Sequence, residues 1–256
     1  MSVTRWKLTI EYKGTRYSGW QRQEDGIASV QQAIEDAIAC FCQKDCRLHV
    51  AGRTDAGVHA SGQVAHFDLD YGDRELNGFS LAKALNSHLR THDVSILEAE
   101  KVDPEFHARF HATHKLYTYR ILNRIAPPTY DQNLVWHVWG DLDVEGMRLA
   151  ASYLLGYHDF STFRAAECQA KSPFKTLDRL DLEVLPLATG GQELRFLTEA
   201  KSYLHHQVRN MVGTLILVGQ GKWSPDDVHS ALKACDRTKG GPTAPPDGLY
   251  LSRVFY

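Results

Sequence analysis

Strand-like alternation and helix-like spacing of apolar residues follow one another along the first part of the chain. Trp6, Leu8 and Ile10 share one face at a period of two, which predicts a half-buried strand. Apolar side chains after Ser29 recur at helical spacing, with Ser29 as the expected N-cap. The predicted elements are, in order, a strand at 4–12, a helix at 29–41, strands at 47–51 and 63–69, a helix around 81–89 and a strand at 94–102. This βαββαβ order is that of a split βαβ domain.

The remainder of the chain predicts a related order of elements. They are a strand at 115–123, a helix at 144–155, strands at 176–185 and 193–198, helices at 203–218 and 225–235, and a final strand at 249–256. We therefore predict an α/β chain of two ferredoxin-like halves, 1–105 and 106–256. The prediction depends on element order alone, since the halves share no recognisable sequence identity.

Composition narrows the class of protein. The chain has 256 residues, is 43% hydrophobic, and carries 29 Lys and Arg against 31 Asp and Glu, so a nucleic acid would have to be bound by local basic patches. The N-terminus lacks a signal pattern, and the most apolar run, 211–218, is too short to span a bilayer. We expect a cytoplasmic protein without a membrane partner. Its five cysteines argue against a disulfide framework.

Three of these cysteines, Cys40, Cys42 and Cys46, form a sequence cluster. Their spacing lacks the paired C-x2-C arrangement of zinc sites, and the sequence has no second cysteine cluster that could supply the remaining ligands. We interpret them as free thiols that pack like small apolar side chains, rather than as metal ligands.

The segment between the predicted strands 47–51 and 63–69 carries candidate chemistry. Glycines at 52, 57 and 62 bracket Arg53 and Asp55 in a connection that also presents Thr54 and His59. A glycine-rich turn beside a strand is a common scaffold for reactive side chains. It is equally typical of a hairpin loop in which the aspartate caps its own turn and the arginine is solvated. Spacing alone leaves both interpretations open.

A second segment, 106–130, contains no acidic residue and mixes Arg and Lys with aromatic and histidine side chains. Cations that meet phosphates and rings that stack on unpaired bases suit RNA. The alternative is an ordinary strand with one core face. Tyr117 and Tyr119 point to the same side of that strand, so at least one of them is expected in the core.

A third segment, 203–218, also lacks acidic residues and has an apolar helix face with Arg209 beside it. A partly buried arginine needs a carboxylate partner, and Asp55 is available. The adjacent His205 and His206 lack an H-E-x-x-H pattern and would diverge by about 100° on a helix, which favours phosphate contacts or helix polarity over zinc.

Together these segments resemble the TruA-type tRNA pseudouridine synthases over nearly the whole chain. The motifs that carry the resemblance are Tyr17-Ser-Gly-Trp-Gln-Arg-Gln23, Ser29-Val-Gln-Gln32, residues 51–60 with Gly62-Gln-Val64, Phe106-His-Ala-Arg-Phe110, Lys115-Leu-Tyr-Thr-Tyr-Arg120, His205-His-Gln-Val-Arg-Asn210 and Asp247-Gly-Leu-Tyr-Leu251. Several ordered motifs at fitting separations are far more specific than any one of them.

The resemblance implies a role for four residues. Asp55 would be the catalytic aspartate, Arg53 would help to hold the flipped-out nucleotide, Tyr117 would stack on the target uracil, and Arg209 would pair with Asp55. The family modifies uridines 38, 39 and 40 in the anticodon stem-loop of tRNA as a homodimer, without a cofactor or catalytic metal. Its fold has two α/β halves, a central mainly antiparallel sheet and an active-site cleft between the halves.

Two other functions compete with this one. A tandem RNA-binding module without catalysis would gain nothing from a carboxylate aimed at a phosphate-rich ligand. A glycoside hydrolase or nucleosidase generally needs two carboxylates at a set separation. Asp68 and Asp70 are both predicted on one face of the next strand, as a solvated edge. The sequence therefore favours the synthase.

Overall fold

The computed structural model describes residues 3–24, 26–72 and 75–256. The chain packs as two compact units, which we call the N-terminal unit (Met1–Thr113 with Tyr250–Tyr256) and the C-terminal unit (His114–Leu249). Both mix helices with mainly antiparallel sheet, so the α/β class is confirmed. The units differ from the predicted halves 1–105 and 106–256 at two places, because 106–113 and 250–256 pack with the N-terminal unit.

The N-terminal unit has the predicted βαββαβ order. Its elements are β1 (Val3–Tyr12), α1 (Val30–Cys42), β2 (His49–Val50), β3 (His59–Asp70), α2 (Gly78–His88) and β4 (Val94–Val102). Strand β1 lies between β3 and β4 and is antiparallel to both. Its predicted apolar face is buried, with Leu8 and Ile10 fully enclosed. The Ser29 side chain accepts a hydrogen bond from the Gln32 N–H, which confirms the predicted N-cap.

Two boundaries in this unit were predicted wrongly. The strand expected at 47–51 is only His49–Val50, and β3 begins at His59 rather than at 63. Alternation of apolar and polar residues identifies only the later part of β3, from residue 63. Most side chains on both faces of β3 are in fact buried, and a strand of that kind does not alternate.

The C-terminal unit contains more strands than predicted. Its elements are β5 (His114–Asn123), β6 (Trp136–Val138), α3 (Val144–Ser152), β7 (Gly156–Asp159), β8 (Phe174–Leu177), β9 (Arg179–Pro186), β10 (Gln192–Ala200), α4 (Gln207–Gly219) and α5 (Pro225–Ala234). Strand β10 is antiparallel to β5 and β9, β6 lies parallel to β5, and β7 pairs with β8 in a separate two-stranded sheet.

The predicted strand 176–185 is interrupted at Asp178, whose N–H donates to the Glu199 carbonyl. The helix predicted from residue 203 begins only at Gln207, because His206 adopts a left-handed conformation with φ of 60°. Short strands β6 and β7 were not predicted, since three or four residues carry too little alternation to stand out. Helix α5 begins, as predicted, at Pro225, after a capping box formed by Ser224 and Asp227.

The last strand, β11 (Leu249–Phe255), lies parallel to β3, with Tyr250 opposite His59 and Leu251 opposite Ala60. It completes the sheet order β4-β1-β3-β11 of the N-terminal unit. Among the residues that the structure describes, no helix is both long and apolar enough to cross a membrane.

Candidate active site

The predicted catalytic aspartate lies in a tight turn that leads into β3. The Asp55 carbonyl accepts a hydrogen bond from the Val58 N–H at 3.1 Å, and Gly57 has a φ of 79°. A turn closed in this way needs a residue that tolerates positive φ at its third position, which is the role of glycine. The Asp55 side chain is half-buried and Arg53 is exposed. The loop that contains Asp55, residues 51–58, is called the Asp55 loop below.

The Asp55 loop is supported from outside by the segment Tyr17–Trp20. The Trp20 N–H donates to the Thr54 carbonyl at 3.0 Å, and the Gly57 N–H donates to the Tyr17 carbonyl at 3.3 Å. Gly19 has a φ of 93°, and a Cβ at this position would lie 2.6 Å from the Thr54 carbonyl oxygen. Any side chain at Gly19 would therefore collide with the backbone that carries Asp55.

A buried polar network supports the same loop from inside. The Tyr12 hydroxyl and the Thr54 hydroxyl are 2.7 Å apart, and the Gln63 amide donates to the Gly52 carbonyl at 2.8 Å and to the Tyr12 hydroxyl at 3.4 Å. Burial raises the pKa of Tyr12 to about 12, so its hydroxyl stays protonated at neutral pH. The network fixes the backbone on both sides of Arg53.

Two polar residues of the motif turn out to be structural supports rather than exposed groups. Thr54 points into the network just described and is buried. His59 is 1% exposed, its Nδ1 accepts a hydrogen bond from the Gly14 N–H at 3.0 Å, and its ring stacks on Tyr250. Since Nδ1 accepts, the proton of the neutral imidazole lies on Nε2. The expectation that this segment presents Thr54 and His59 was therefore wrong.

In the C-terminal unit, Tyr117 lies on β5 directly opposite Thr198 of β10. Its ring meets the ring of Tyr203 edge to face, with centroids 5.1 Å apart and planes at 83°. The Tyr203 hydroxyl lies 3.1 Å from the hydroxyl of Thr198, a fully buried residue. Desolvation raises the pKa of Tyr203 well above its usual range, so this anchor remains a neutral hydroxyl.

Tyr117 itself is buried, with 9% of its surface exposed, and Tyr119, two residues along β5, is buried more completely. It is fully buried, and its hydroxyl donates to the Pro245 carbonyl at 2.6 Å. The expectation that at least one of these two tyrosines belongs to the core is confirmed.

Arg209, the third residue of α4, is half-buried, and the loop around Ala244 holds it. Its Nε donates to the Ala244 carbonyl at 2.7 Å, and the Ala244 N–H donates back to the Arg209 carbonyl at 3.1 Å. These two hydrogen bonds hold the backbone of Arg209 and the Nε end of its side chain beside Ala244. The pairing of Arg209 with Asp55 stays a prediction.

His205 and His206 precede α4 instead of lying on it. Their ring centroids are 4.0 Å apart, so the expected divergence of about 100° was wrong. The His205 backbone is held on both sides, because its N–H donates to the Cys168 sulfur and its carbonyl accepts from the Ala165 N–H.

The structure thus places Arg53 and Asp55 together in one loop, Tyr117 on β5 and Arg209 on α4. Sequence reasoning missed the supporting residues Gly19, Gln63 and Tyr203 as parts of these sites. Gln63 did offer a signal, since it is a polar residue in the middle of an apolar strand and is completely buried.

Comparison with known proteins gives a consistent result. A family model described as tRNA pseudouridine synthase matches residues 8–111 and 150–256. The tRNA pseudouridine synthase A of Paramagnetospirillum magneticum is 56% identical over 254 residues, covering 99% of this chain and 96% of that protein. Those of Rhodospirillum rubrum and Rhodospirillum centenum are 52% and 54% identical over 99% of this chain, and over 88% and 100% of their own lengths.

Proposed function

This chain belongs to the tRNA pseudouridine synthase family, and from that premise we propose that Asp55 is the carboxylate with which it isomerises uridine in the anticodon stem-loop of tRNA. The enzyme is an isomerase that acts on tRNA. The proposed targets are tRNA positions 38, 39 and 40. The observation that carries the role of Asp55 is the construction of its loop, in which hydrogen bonds fix the backbone on both sides of a half-buried carboxylate.

The reaction exchanges the N1–C1′ bond of uridine for a C5–C1′ bond. It neither oxidises nor reduces the substrate, so we propose that no cofactor or catalytic metal takes part. The uracil must detach, turn and rejoin the same ribose, and C5 loses a proton while N1 gains one. The target nucleotide must first leave the base stack, at a cost of a few kcal/mol.

Two routes begin with ionised Asp55. In the first, a carboxylate oxygen attacks C1′ and the uracil leaves through N1, and later attack by C5 on C1′ expels the carboxylate. In the second, the carboxylate removes the proton at C2′ while the N1–C1′ bond breaks, and it returns that proton when C5 adds to C1′. Both routes require the carboxylate anion.

Arg53, Tyr117 and Arg209 have distinct proposed roles. Arg53 is exposed beside Asp55, where its guanidinium can contact the phosphates that flank the extruded uridine. Tyr117 stacks on the uracil, and its ring is oriented for this by Tyr203. Arg209 pairs with Asp55, and the bond from its Nε to Ala244 restricts the directions in which the guanidinium can point.

We further propose that the enzyme works in the cytoplasm as a homodimer.

The formal net charge of -2 gives the protein no general attraction for RNA. Binding must therefore depend on local basic groups, of which Arg53 is one.

The test is Asp55→Asn, which preserves the shape of the side chain and removes the anion. Unmodified tRNA is incubated with each protein, and pseudouridine is mapped by carbodiimide-dependent stops of reverse transcription. We expect wild-type stops at 38, 39 or 40, an activity loss of at least about a thousandfold in the variant, and unchanged tRNA binding. Asp45→Asn, at an exposed position of the same unit, is the control and should be fully active.

Turnover by Asp55→Asn near the wild-type rate would remove Asp55 from the chemistry. Stops elsewhere in the tRNA would leave the catalytic role intact and refute the proposed target. Free uracil in the reaction, measured by chromatography, would show hydrolysis instead of isomerisation.

A further inference from the structure

A cluster of aromatic and imidazole rings lies in the N-terminal unit, along β3 from the Asp55 loop. We call it the ring patch, and its members are His49, His66, Phe106, His107, Phe110 and His111. The His49 ring stacks on His66 with centroids 5.0 Å apart, and His107 meets His66 at 4.7 Å and Phe110 at 4.3 Å. The rings form one contiguous group.

The base of the ring patch is rigid. His66 on β3 is 2% exposed, and its Nδ1 accepts a hydrogen bond from the Ala108 N–H at 3.2 Å. The Ala108 carbonyl accepts one from the Tyr256 hydroxyl at 2.9 Å. Burial lowers the pKa of His66 to about 4, so this ring is neutral at physiological pH and packs as an aromatic group.

The top of the ring patch is an exposed phenylalanine. Phe110 is 73% exposed although its ring rests on His107, and the Arg109 guanidinium carbon is 6.0 Å from the ring centroid. The His107 Nδ1 accepts hydrogen bonds from the N–H groups of both Arg109 and Phe110, which fixes this turn. One face of an apolar ring is thus supported by protein, beside an exposed cation.

An exposed cation, Arg109, lies beside Phe110 at the top of the ring patch, and the exposed acids Asp103 and Glu105 precede Phe106 in the chain. The segment 106–130 contains no acidic residue. Asp68, two residues along β3 from His66, accepts two hydrogen bonds of 2.7 Å from Arg5, which neutralise its charge. Aromatic rings with an adjacent arginine are the usual means of holding an unstacked nucleotide, because the ring meets the base and the cation meets the phosphate.

The ring patch lies well away from the reacting carboxylate. The Asp55 loop joins β3 at His59, and His66 is seven residues further along the same strand. At about 3.3 Å per residue this separation is about 23 Å. At about 3.4 Å per nucleotide it corresponds to roughly seven stacked nucleotides. A nucleotide bound at Phe110 is therefore a different one from the target uridine.

We propose that the ring patch binds a second nucleotide of the tRNA, outside the anticodon stem-loop, with Phe110 stacking on its base and Arg109 contacting a neighbouring phosphate. The inference depends on the proposed function, since it takes the anticodon stem-loop as the reacting part. Such a contact anchors the substrate without taking part in the reaction. It therefore lowers KM and leaves kcat unchanged.

The experiment compares Phe110→Ala with Phe79→Ala, which removes an equally exposed phenylalanine, 78% exposed, from α2 of the same unit. Steady-state kinetics are measured on whole tRNA and on the isolated anticodon stem-loop hairpin. With whole tRNA, we expect Phe110→Ala to raise KM by about fivefold or more and to keep kcat within about twofold. With the hairpin, it should match wild type. Phe79→Ala should match wild type on both, and Phe110→Trp should restore the low KM.

A second variant tests the phosphate contact. Arg109→Gln should weaken binding to whole tRNA and reduce the slope of log affinity against log salt concentration by about 1.

Three outcomes would overturn the ring patch proposal while the enzyme remained active. The KM of Phe110→Ala on whole tRNA could equal that of Phe79→Ala, the hairpin could lose as much as whole tRNA, or Phe110→Ala could change only self-association in sedimentation velocity. The last would mean that Phe110 contacts a second copy of the chain. If wild-type enzyme modifies no anticodon-arm uridine, the proposed function fails instead, and the pseudouridine map shows this separately.

Discussion

The Asp55 loop and the surroundings of Tyr117 hold their proposed functional side chains by different physical means. In the Asp55 loop, hydrogen bonds to backbone carbonyls fix the chain itself, through Trp20 and Gln63. Tyr117 is fixed at the level of its side chain, by ring packing against Tyr203. A hydrogen bond has narrow limits of distance and angle, whereas ring packing tolerates small displacements. The difference fits a carboxylate that must reach one atom and a ring that needs only to cover a base.

Among substitutions of the residues that support these two regions, the largest effect should come from Gly19→Ala. The new Cβ would lie 2.6 Å from the Thr54 carbonyl oxygen at a φ of 93°, so the Asp55 loop must move. We expect a loss of about 2–4 kcal/mol in the free energy of unfolding and roughly a hundredfold loss in kcat. Urea denaturation and single-turnover kinetics measure the two. Gly26→Ala is the matched control, since Gly26 has a φ of 91° with open space around its Cβ position. An active, stable Gly19→Ala protein would contradict the role of backbone fixation.

A smaller effect is expected from Gln63→Leu. The change leaves the Gly52 carbonyl without its donor in a buried site, which costs about 1–3 kcal/mol. We expect kcat to fall about tenfold, because Asp55 becomes less well positioned, and KM to change little. The control is Gln23→Leu, which removes an exposed amide bonded to the Ser18 carbonyl. Equal kinetics for the two variants would show that the network does not position Asp55.

Tyr203 tests the ring-packed region through two substitutions. Tyr203→Phe keeps the edge-to-face contact with Tyr117 and loses the Thr198 hydrogen bond, so kcat should stay within about threefold of wild type. Tyr203→Leu removes the ring contact, worth about 0.5–1.5 kcal/mol, and should lower kcat up to about tenfold. Tyr153→Leu, which disturbs a ring contact with His229, controls for general destabilisation. If Tyr203→Phe lost as much as Tyr203→Leu, the hydroxyl would matter more than the ring.

The last prediction concerns Tyr12→Phe. This substitution should change how the free energy of unfolding depends on pH in alkaline solution. The pKa of Tyr12 is raised to about 12 in the folded protein from about 10 in the unfolded chain. Between these values the unfolded chain loses a proton that the folded protein keeps, so the stability contributed by Tyr12 is complete below pH 10 and is lost as pH rises towards 12. The free energy of unfolding should therefore decline by up to about 1.4 kcal/mol per pH unit more steeply in wild type than in Tyr12→Phe. Urea midpoints from pH 9 to 11.5 measure both slopes, and identical slopes would refute this.

Local sequence signals predicted the elements whose cause is local. Ser29 caps α1 as expected, because the capping bond joins residues three apart. The buried face of β1 followed from its alternation. The start of α4 could not be found in the same way. Residues 203–206 have an apolar and polar pattern that continues the helix. His206 departs from helical geometry beside His205, whose backbone is bonded to Cys168 and Ala165, some forty residues earlier.

The candidate site shows the same division. Asp55 and Arg53 could be singled out because glycines mark their turn in the sequence. Tyr12 and Gly19 could not, since they lie far from Asp55 in sequence and reach its turn only through the pairing of β1 with β3 and the packing of residues 17–20. Gln63 is near in sequence and offered a signal as a polar residue in an apolar strand, but its partner Gly52 is given only by the fold. The sequence pattern predicts that Tyr203 begins a helix. Its contact with Tyr117 depends on the pairing of β5 with β10.

The position of β11 in the N-terminal unit has a consequence for synthesis on the ribosome. The strand that pairs with β3 beside the Asp55 loop is translated after the C-terminal unit. At about 5–20 residues per second, translation of the C-terminal unit takes on the order of ten seconds, and during that time His59 and Ala60 of β3 lack their β11 partner. The first residues of β3 are therefore open to incorrect pairing until β11 has emerged from the ribosome. Deletion of β11 would damage the unit whose other strands are made before it.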